Sequence, residues 1–290
     1  MKIIVFLFSL LILQGCLPDD KQIFIPAHEP KLVVFTQVIP NSVMIVALAK
    51  SFSILDSGYT ASDGGSGNAD STLLANLLVE DATVVISYQG KTDTLINMGK
   101  GIYVSLTIPQ VVDENYELSV VDHKSKLQIT ASERMLPQVN LNDASFSKQT
   151  NGTFKLNYSF EDPAGSNWYM MNVYQVDSTK LDTSQFQVQN LFGNGSNQLA
   201  QTLFFSDQGF SDKNAAGSLA VDIDTSITKD FIVTLSNISP QYYSYLDKRN
   251  KSQNIFTEIF KEAINYPTNV KGGYGFFLTH HPSIKYIHLP

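Results

Sequence analysis

The chain of 290 residues is poor in the residue types that usually announce chemistry. Its single cysteine, Cys16, leaves no partner for an intramolecular disulfide and no multi-thiolate metal site. Histidines number five. His28 and His123 stand alone, whereas His280, His281 and His288 lie near the C-terminus. Adjacent side chains of a strand point to opposite faces, so His280 and His281 do not converge on one ion and no metal site is expected. Charged residues make up only 16% of the chain against a usual value of about 25%, and no Lys/Arg run exceeds two residues. With a net charge of −7, this excludes the electrostatic footprint of a nucleic-acid binder. Beyond residue 15 no apolar run approaches the roughly 20 residues of a spanning helix.

Catalytic motifs are equally scarce. Neither a G-x-S-x-G elbow nor an H-E-x-x-H motif occurs. A serine triad would have to draw on His123, His281 or His288, with no partner indicated. Gly272-Gly-Tyr-Gly275 lacks the Lys-Ser/Thr and the following helix of a P-loop, so its glycines predict a bulge or sharp bend. The acid pairs Glu80-Asp81 and Glu161-Asp162 diverge on a strand and do not form a glycosidase pair. No catalytic residue, no metal and no cofactor is assigned, and the chain is not expected to be an enzyme.

What is present begins at the N-terminus. Lys2 precedes an apolar run from Ile3 to Leu13, too short to span a bilayer and shaped like the core of an export signal. The run closes on Leu13-Gln14-Gly15-Cys16. Leucine at −3, a small residue at −1 and cysteine at +1 form the lipobox of bacterial lipoproteins, which predicts cleavage after residue 15 and acylation of Cys16. Three acyl chains exceed the two signals that stable membrane anchoring requires. Residues 16–30 carry three prolines and little periodicity and read as a lipidated tether. Asp19 and Asp20 within it are read either as a surface-export signal or as two charges of a solvated linker.

From Lys31 onward the texture is that of an all-β protein. Hydrophobic residues form 43% of the chain and aromatics 11%, which excludes intrinsic disorder. The length beyond the signal exceeds the size at which one core suffices, so two domains are expected. Lys31–Phe35 and Val43–Ala47 predict a hairpin about Pro40-Asn41, and residues 56–72 a Gly/Ser/Asp insertion. Between Val79 and Leu136, short alternating runs with turn signals every eight to twelve residues predict an antiparallel sandwich, immunoglobulin-like or transthyretin-like. Pro137 ends it, giving an N-terminal β-sandwich domain over 31–137 and a β-rich second domain over 138–290.

In the second domain Phe154, Leu156, Tyr158 and Phe160 alternate with polar residues. Asp162-Pro-Ala-Gly165 predicts a type I turn, Trp168–Val176 a central strand with Trp168 as core anchor, and 177–230 loops with brief strands. Ser239-Pro240 opens one helix near 240–250, with Tyr242, Tyr245 and Leu246 on one face. Thr268–Phe277 and Lys285–Leu289 return to strand.

These pieces resemble the lipoproteins of domain-of-unknown-function family 4249. The resemblance rests on the lipobox, Lys31-Leu-Val-Val34, Glu80-Asp-Ala-Thr-Val84, Gly101-Ile-Tyr103, Tyr116-Glu-Leu118, Asp162-Pro-Ala-Gly165, Phe205-Ser-Asp-Gln208, Tyr242-Tyr-Ser-Tyr-Leu246 and Asn269-Val-Lys-Gly-Gly-Tyr-Gly-Phe276. It implies an outer-membrane lipoprotein of Bacteroidetes type, often found near TonB-dependent transporters, with no catalytic residues to carry over. The insertions 56–72 and 177–200 depart from the pattern. The expected role is a lipid-anchored ligand- or partner-binding accessory module, with the outer membrane as its site and a β-barrel transporter as the implied partner. A structural adhesin or envelope scaffold is the alternative, and a hydrolase a distant third.

Overall fold

The computed structural model describes residues 29–39, 43–51, 77–150, 152–176, 197–210, 213–226, 228–250 and 266–289. The signal, most of the tether, the insertion 56–72 and most of 177–200 lie outside the described residues. The fold is all-β, as its period-2 patterning requires. The strands of the first half are β1 (Leu32–Ile39), β2 (Val43–Lys50), β3 (Ala82–Tyr88), β4 (Lys91–Thr94), β5 (Ile96–Gly99), β6 (Ile102–Ser105), β7 (Asn115–Asp122) and β8 (Gln128–Arg134). β1 and β2 form the expected hairpin, in register from Leu32 opposite Lys50 to Ile39 opposite Val43. In β7 the alternation of exposed and buried residues is strict, with Tyr116, Leu118 and Val120 turned inward. These residues join Val34, Val46, Leu48, Val84 and Ile86 in one core between two sheets.

Two strands of this sandwich come from the far end of the chain. β15 (Val270–Lys271) pairs antiparallel with β8, and β16 (Tyr274–Phe276) pairs parallel with β1. The sheet orders are therefore β16-β1-β2-β6-β5 and β15-β8-β7-β3-β4. Each lateral edge is closed by a segment that leaves one sheet and enters the other. Between β4 and β5 the chain changes sheet at the buried Leu95; between β15 and β16 it does so at Gly272-Gly273. The expected assignment of all of 138–290 to the second domain is corrected accordingly. Residues 270–277 complete the first sandwich because Val270 and Phe277 enter its core.

The second sandwich packs the sheet β13-β10-β9 on β12-β11-β14-β17, where β9 is Leu141–Lys148, β10 Phe154–Glu161, β11 Trp168–Val176, β12 Asn197–Ser206, β13 Asn214–Val221, β14 Asp230–Ile238 and β17 Ser283–His288. β11 is central and buried along nearly its whole length, as its two apolar faces require. The core between the sheets is rich in aromatic contacts, among them Phe160 edge-on to Tyr169 at 4.7 Å between centroids. Trp168 is not part of this core; it lies partly buried on the outer face of the sheet, against the first sandwich.

One other expectation needs correction. β12 and β13 run for ten and eight residues where loops with brief strands were expected. The inward positions of β13 are Ala215, Gly217, Leu219 and Val221, and small residues there make room for Tyr158, so the hydrophobic alternation is faint in sequence. The loop Asp162–Gly165 is held by Asn167, whose Nδ2 donates to the carbonyls of Pro163 and Gly165.

The close approach of β16 to β1 sets a steric condition. Gly275 has φ +91°, and a Cβ there would fall inside the contact distance of the Val34 carbonyl. Gly165 has φ +102° but open space around it. Gly165→Ala should therefore cost only the backbone strain of about 1–3 kcal/mol. Gly275→Ala should cost a further 1–3 kcal/mol, roughly, from overpacking. Urea unfolding of both variants checks the order; equal losses would contradict the packed edge.

Candidate functional site at the seam between the sandwiches

The chain passes between the sandwiches three times, through 135–139, between β14 and β15, and through 277–283. The elements at this seam come from all parts of the sequence. Its apolar centre comprises Met170 and Ile238 from the second sandwich, Tyr245 and Leu246 from helix α1 (Pro240–Asn250), and Phe276 and Leu278 from the returning segment. Phe35, Trp168, Tyr242 and Tyr266 pack around it. α1 begins where expected: Ser239 Oγ accepts the Tyr242 N–H at 3.3 Å, and Lys248 and Arg249 occupy the last turn, where cations oppose the helix dipole. The Arg249 guanidinium lies over the Phe35 ring at 5.3 Å, joining α1 to β1.

Polar bonds fasten the returning segment. Asn269 Nδ2 donates to the Phe277 carbonyl at 2.7 Å, to Ser132 O at 3.2 Å and to Glu133 Oε2 at 3.0 Å, while its Oδ1 accepts the Phe277 N–H at 2.9 Å. Thr268 Oγ1 donates to the Gly275 carbonyl at 2.7 Å, and Thr36 Oγ1 donates to the Leu278 carbonyl at 3.0 Å. On the other crossing, Gln138 Nε2 donates to the Pro282 carbonyl and the Leu141 N–H to Ser283 Oγ.

Glu133 is the unusual member. Inward positions of β8 read Ile129, Ala131 and Glu133, so a carboxyl stands where the alternation calls for an apolar side chain. It is 8% exposed. Burial raises its pKa above the ordinary carboxyl range, against the opposing hydrogen bonds from Ser239 and Asn269. The seam also holds a buried Ser236–His280 pair, Oγ to Nδ1 at 2.7 Å. Burial, and then the neighbouring His281, push His280 down to about 4, so it is neutral at pH 7. Ser236 is 0% exposed, which leaves no route for a substrate to its hydroxyl. The pair is a satisfied core contact.

The remaining sequence candidates separate. Cys16, Asp19 and Asp20 lie outside the described residues. His123 Nε2 bonds Thr83 Oγ1 at 2.8 Å on the surface, and His288 Nδ1 meets Asp230 Oδ1 at 2.7 Å. Among the described residues no group of three or more His, Cys, Asp or Glu is placed to hold a metal ion. Two of the quoted motifs do meet: Asp162 accepts the Tyr169 hydroxyl, and Asp207 accepts the Asn167 N–H at 2.6 Å, so both acids fasten one end of the second sandwich. Sequence reasoning missed Glu133, and it weighed His280 only as a metal ligand, not as the partner of Ser236. A break in the β8 alternation was the available signal for the first, and none marked the Ser236–His280 pairing.

Fold and seam define an all-β protein of two sandwiches, the first completed by strands from the C-terminal end. The family model described as "Domain of unknown function (DUF4249)" matches residues 20–285, and the chain belongs to this family. No curated protein matches it. Among solved structures it is similar to a cytokine receptor complex (10% identity, 70% of this chain and 90% of that chain, TM-score 0.25). A two-domain fibronectin type-III segment of chicken tenascin overlaps at 10% identity, with 72% of this chain, 91% of that chain and a TM-score of 0.22. A DUF3823 family protein from Bacteroides ovatus does so at 10%, with 57%, 83% and 0.23.

If Asn269 is the clasp of the seam, Asn269→Ala should destabilise the protein by roughly 2–4 kcal/mol, the sum of several lost hydrogen bonds and a less satisfied Glu133. Chemical denaturation measures it. A loss below about 0.5 kcal/mol, the usual size for a surface substitution, would reject the clasp.

Proposed function

We propose that the protein is a lipid-anchored lipoprotein of the outer membrane that serves as a ligand- or partner-binding accessory module beside a TonB-dependent transporter. The observation that carries the anchor is Cys16, the one cysteine of the chain, placed by Leu13-Gln14-Gly15 at the end of an eleven-residue apolar run. β1 begins at Leu32, so the intervening residues can hold the fold up to about 50 Å from the acylated cysteine at full extension. That reach lets the sandwiches meet a partner in the same membrane. The exposure of Ile96, Met98 and Leu106 on the first sandwich, each about 60%, supports a partner there. In register, Ile96 aligns through Val104 with Ile45 and Gln37, toward the hairpin end of β1 and away from the tether. Asp19 and Asp20 then act as the export signal that turns the protein to the cell surface. The transporter partner rests on the family resemblance.

Cells fed an alkyne fatty acid test the reading. The native protein should be labelled and membrane-bound, and Cys16→Ala should be neither. The Asp19→Ala, Asp20→Ala double variant should stay labelled but lose its accessibility to protease added to intact cells. Equal labelling of the Cys16→Ala variant would overturn the anchor, and protease resistance of the native protein would overturn the surface orientation. Cross-linking on intact cells should recover a β-barrel transporter; recovery of none would remove the accessory role.

A further inference from the structure

The tether enters the fold at the N-terminal end of β1, and that end is fastened from two sides. The Lys31 N–H donates to Ser51 Oγ at 2.9 Å, the Ser51 N–H donates back to the Lys31 carbonyl at 2.8 Å, and the Lys31 ammonium stands 4.9 Å over the Tyr274 ring. From there β1 runs between two partners, with eight register pairs to β2 on one side and three to β16 on the other. We propose that this arrangement is a shear clamp, which keeps the first sandwich folded when the anchored end of the chain is drawn away from the rest of the molecule and makes the protein a load-bearing link between the membrane and its partner.

The two ends of the first sandwich differ in what leaves them. Gly273 packs beside Leu32 at the end where the tether enters, since a Cβ there would lie 2.5 Å from the Leu32 carbonyl oxygen. At the opposite end β16 passes into the seam through Phe276 and Leu278, and Thr36 Oγ1 of β1 donates to the Leu278 carbonyl at 3.0 Å. β8 leaves for the second sandwich at this same end, where Asn269 bonds both Glu133 and Phe277. The apolar surface at Ile96 lies toward it as well, by its alignment with Gln37. A grip on the second sandwich or on that surface therefore pulls toward one end while the lipid pulls β1 toward the other.

Because β1 and β16 are parallel, this load draws β1 by its N-terminal end and β16 by its C-terminal end. Opposed forces along the strands strain the evenly spaced hydrogen bonds of the pair together, instead of opening them one after another as a peeling force does. Sliding is costly on a second count. A slip of β1 by one residue, about 3.3 Å, turns its side chains to the opposite faces. Leu32 and Val34, both 0% exposed, would leave the core in exchange for Val33 and Phe35. The close approach of Gly275 to the Val34 carbonyl packs β16 onto β1 without slack. The load rests on the reading of Cys16 as the membrane anchor, whereas the clamp belongs to the fold and is measurable without lipid.

Single-molecule pulling on the unacylated chain without its signal provides the test, with the thiol of Cys16 as one handle. A second thiol at Lys91→Cys, exposed and next to the Gln89-Gly90 turn at the seam end, loads β1 along its length. One at Lys124→Cys, exposed in the β7–β8 turn at the tether end, peels β1 from Lys31 onward. At one pulling rate the unfolding force should be several-fold higher with the first pair of handles than with the second. Gly275→Ala, which wedges β16 off β1, should bring the higher force down and leave the lower one nearly unchanged. If Gly275→Ala does not fold, Thr36→Val, lacking the hydroxyl bonded to Leu278, takes its place with the same expectation. Equal forces in the two geometries, or a higher force that the variant does not lower, would overturn the clamp. Failure of Cys16 acylation in cells would overturn the load instead and leave these forces as they are.

Discussion

The parallel pairing of Tyr274–Phe276 with Val33–Phe35 is the constraint on which the rest of the molecule depends. It takes a segment near the C-terminal end and makes it an edge strand of the N-terminal sandwich, so the second sandwich is in effect inserted into the first. Parallel pairing needs a long crossover, and here the crossover is an entire sandwich. The backbone must come close enough that Gly273, too, has no room for a Cβ: it would lie 2.5 Å from the Leu32 carbonyl oxygen and 2.7 Å from Ile129 Cγ2. In exchange the two sheets of the first sandwich are joined along one side through Gly272-Gly273.

The seam that results is apolar at its centre and polar at its rim, with two titratable groups buried in it. Burial raises the pKa of Glu133 and lowers that of His280 to about 4, so their contributions to stability change with pH in opposite directions. A second buried charge, Asp122, is handled differently. The Lys50 ammonium lies 3.1 Å from it and three further donors from Lys124 and Ser125 complete it, so its pKa falls in spite of burial. The contrast shows what Glu133 lacks.

Most of the strands were legible because they alternate. Tyr116, Leu118 and Val120, or Leu156, Tyr158 and Phe160, can face only one way. The helix was legible from Ser239-Pro240 and the spacing of Tyr242, Tyr245 and Leu246. The placement of Val270–Phe276 was not, since periodicity marks a strand without naming its partner, and a partner more than two hundred residues away leaves no local trace. Gly272-Gly-Tyr-Gly275 predicted a bend, and the bend is the change of sheet. β13 escaped because alanine and glycine carry its inward face. The seam site was illegible for the same reason as β16: Glu133, Ser239 and Asn269 meet only after the sandwich between them has folded.

The coupling of the two sandwiches through the returning segment is the central claim, and Trp168 provides its most direct test. It is the only tryptophan, it belongs to β11 of the second sandwich, and it packs in the seam against the first, so its fluorescence reports the joint together with the strand that carries it. Equilibrium urea unfolding of the protein without its signal can be followed at once by Trp168 fluorescence and far-UV circular dichroism, for the native chain and for Gly273→Ala. Coupling predicts coincident transitions in the native chain and equal shifts of both midpoints in the variant, although Gly273 lies in the first sandwich. A split circular dichroism transition, with the Trp168 midpoint unmoved by Gly273→Ala, would show two independent domains and contradict it.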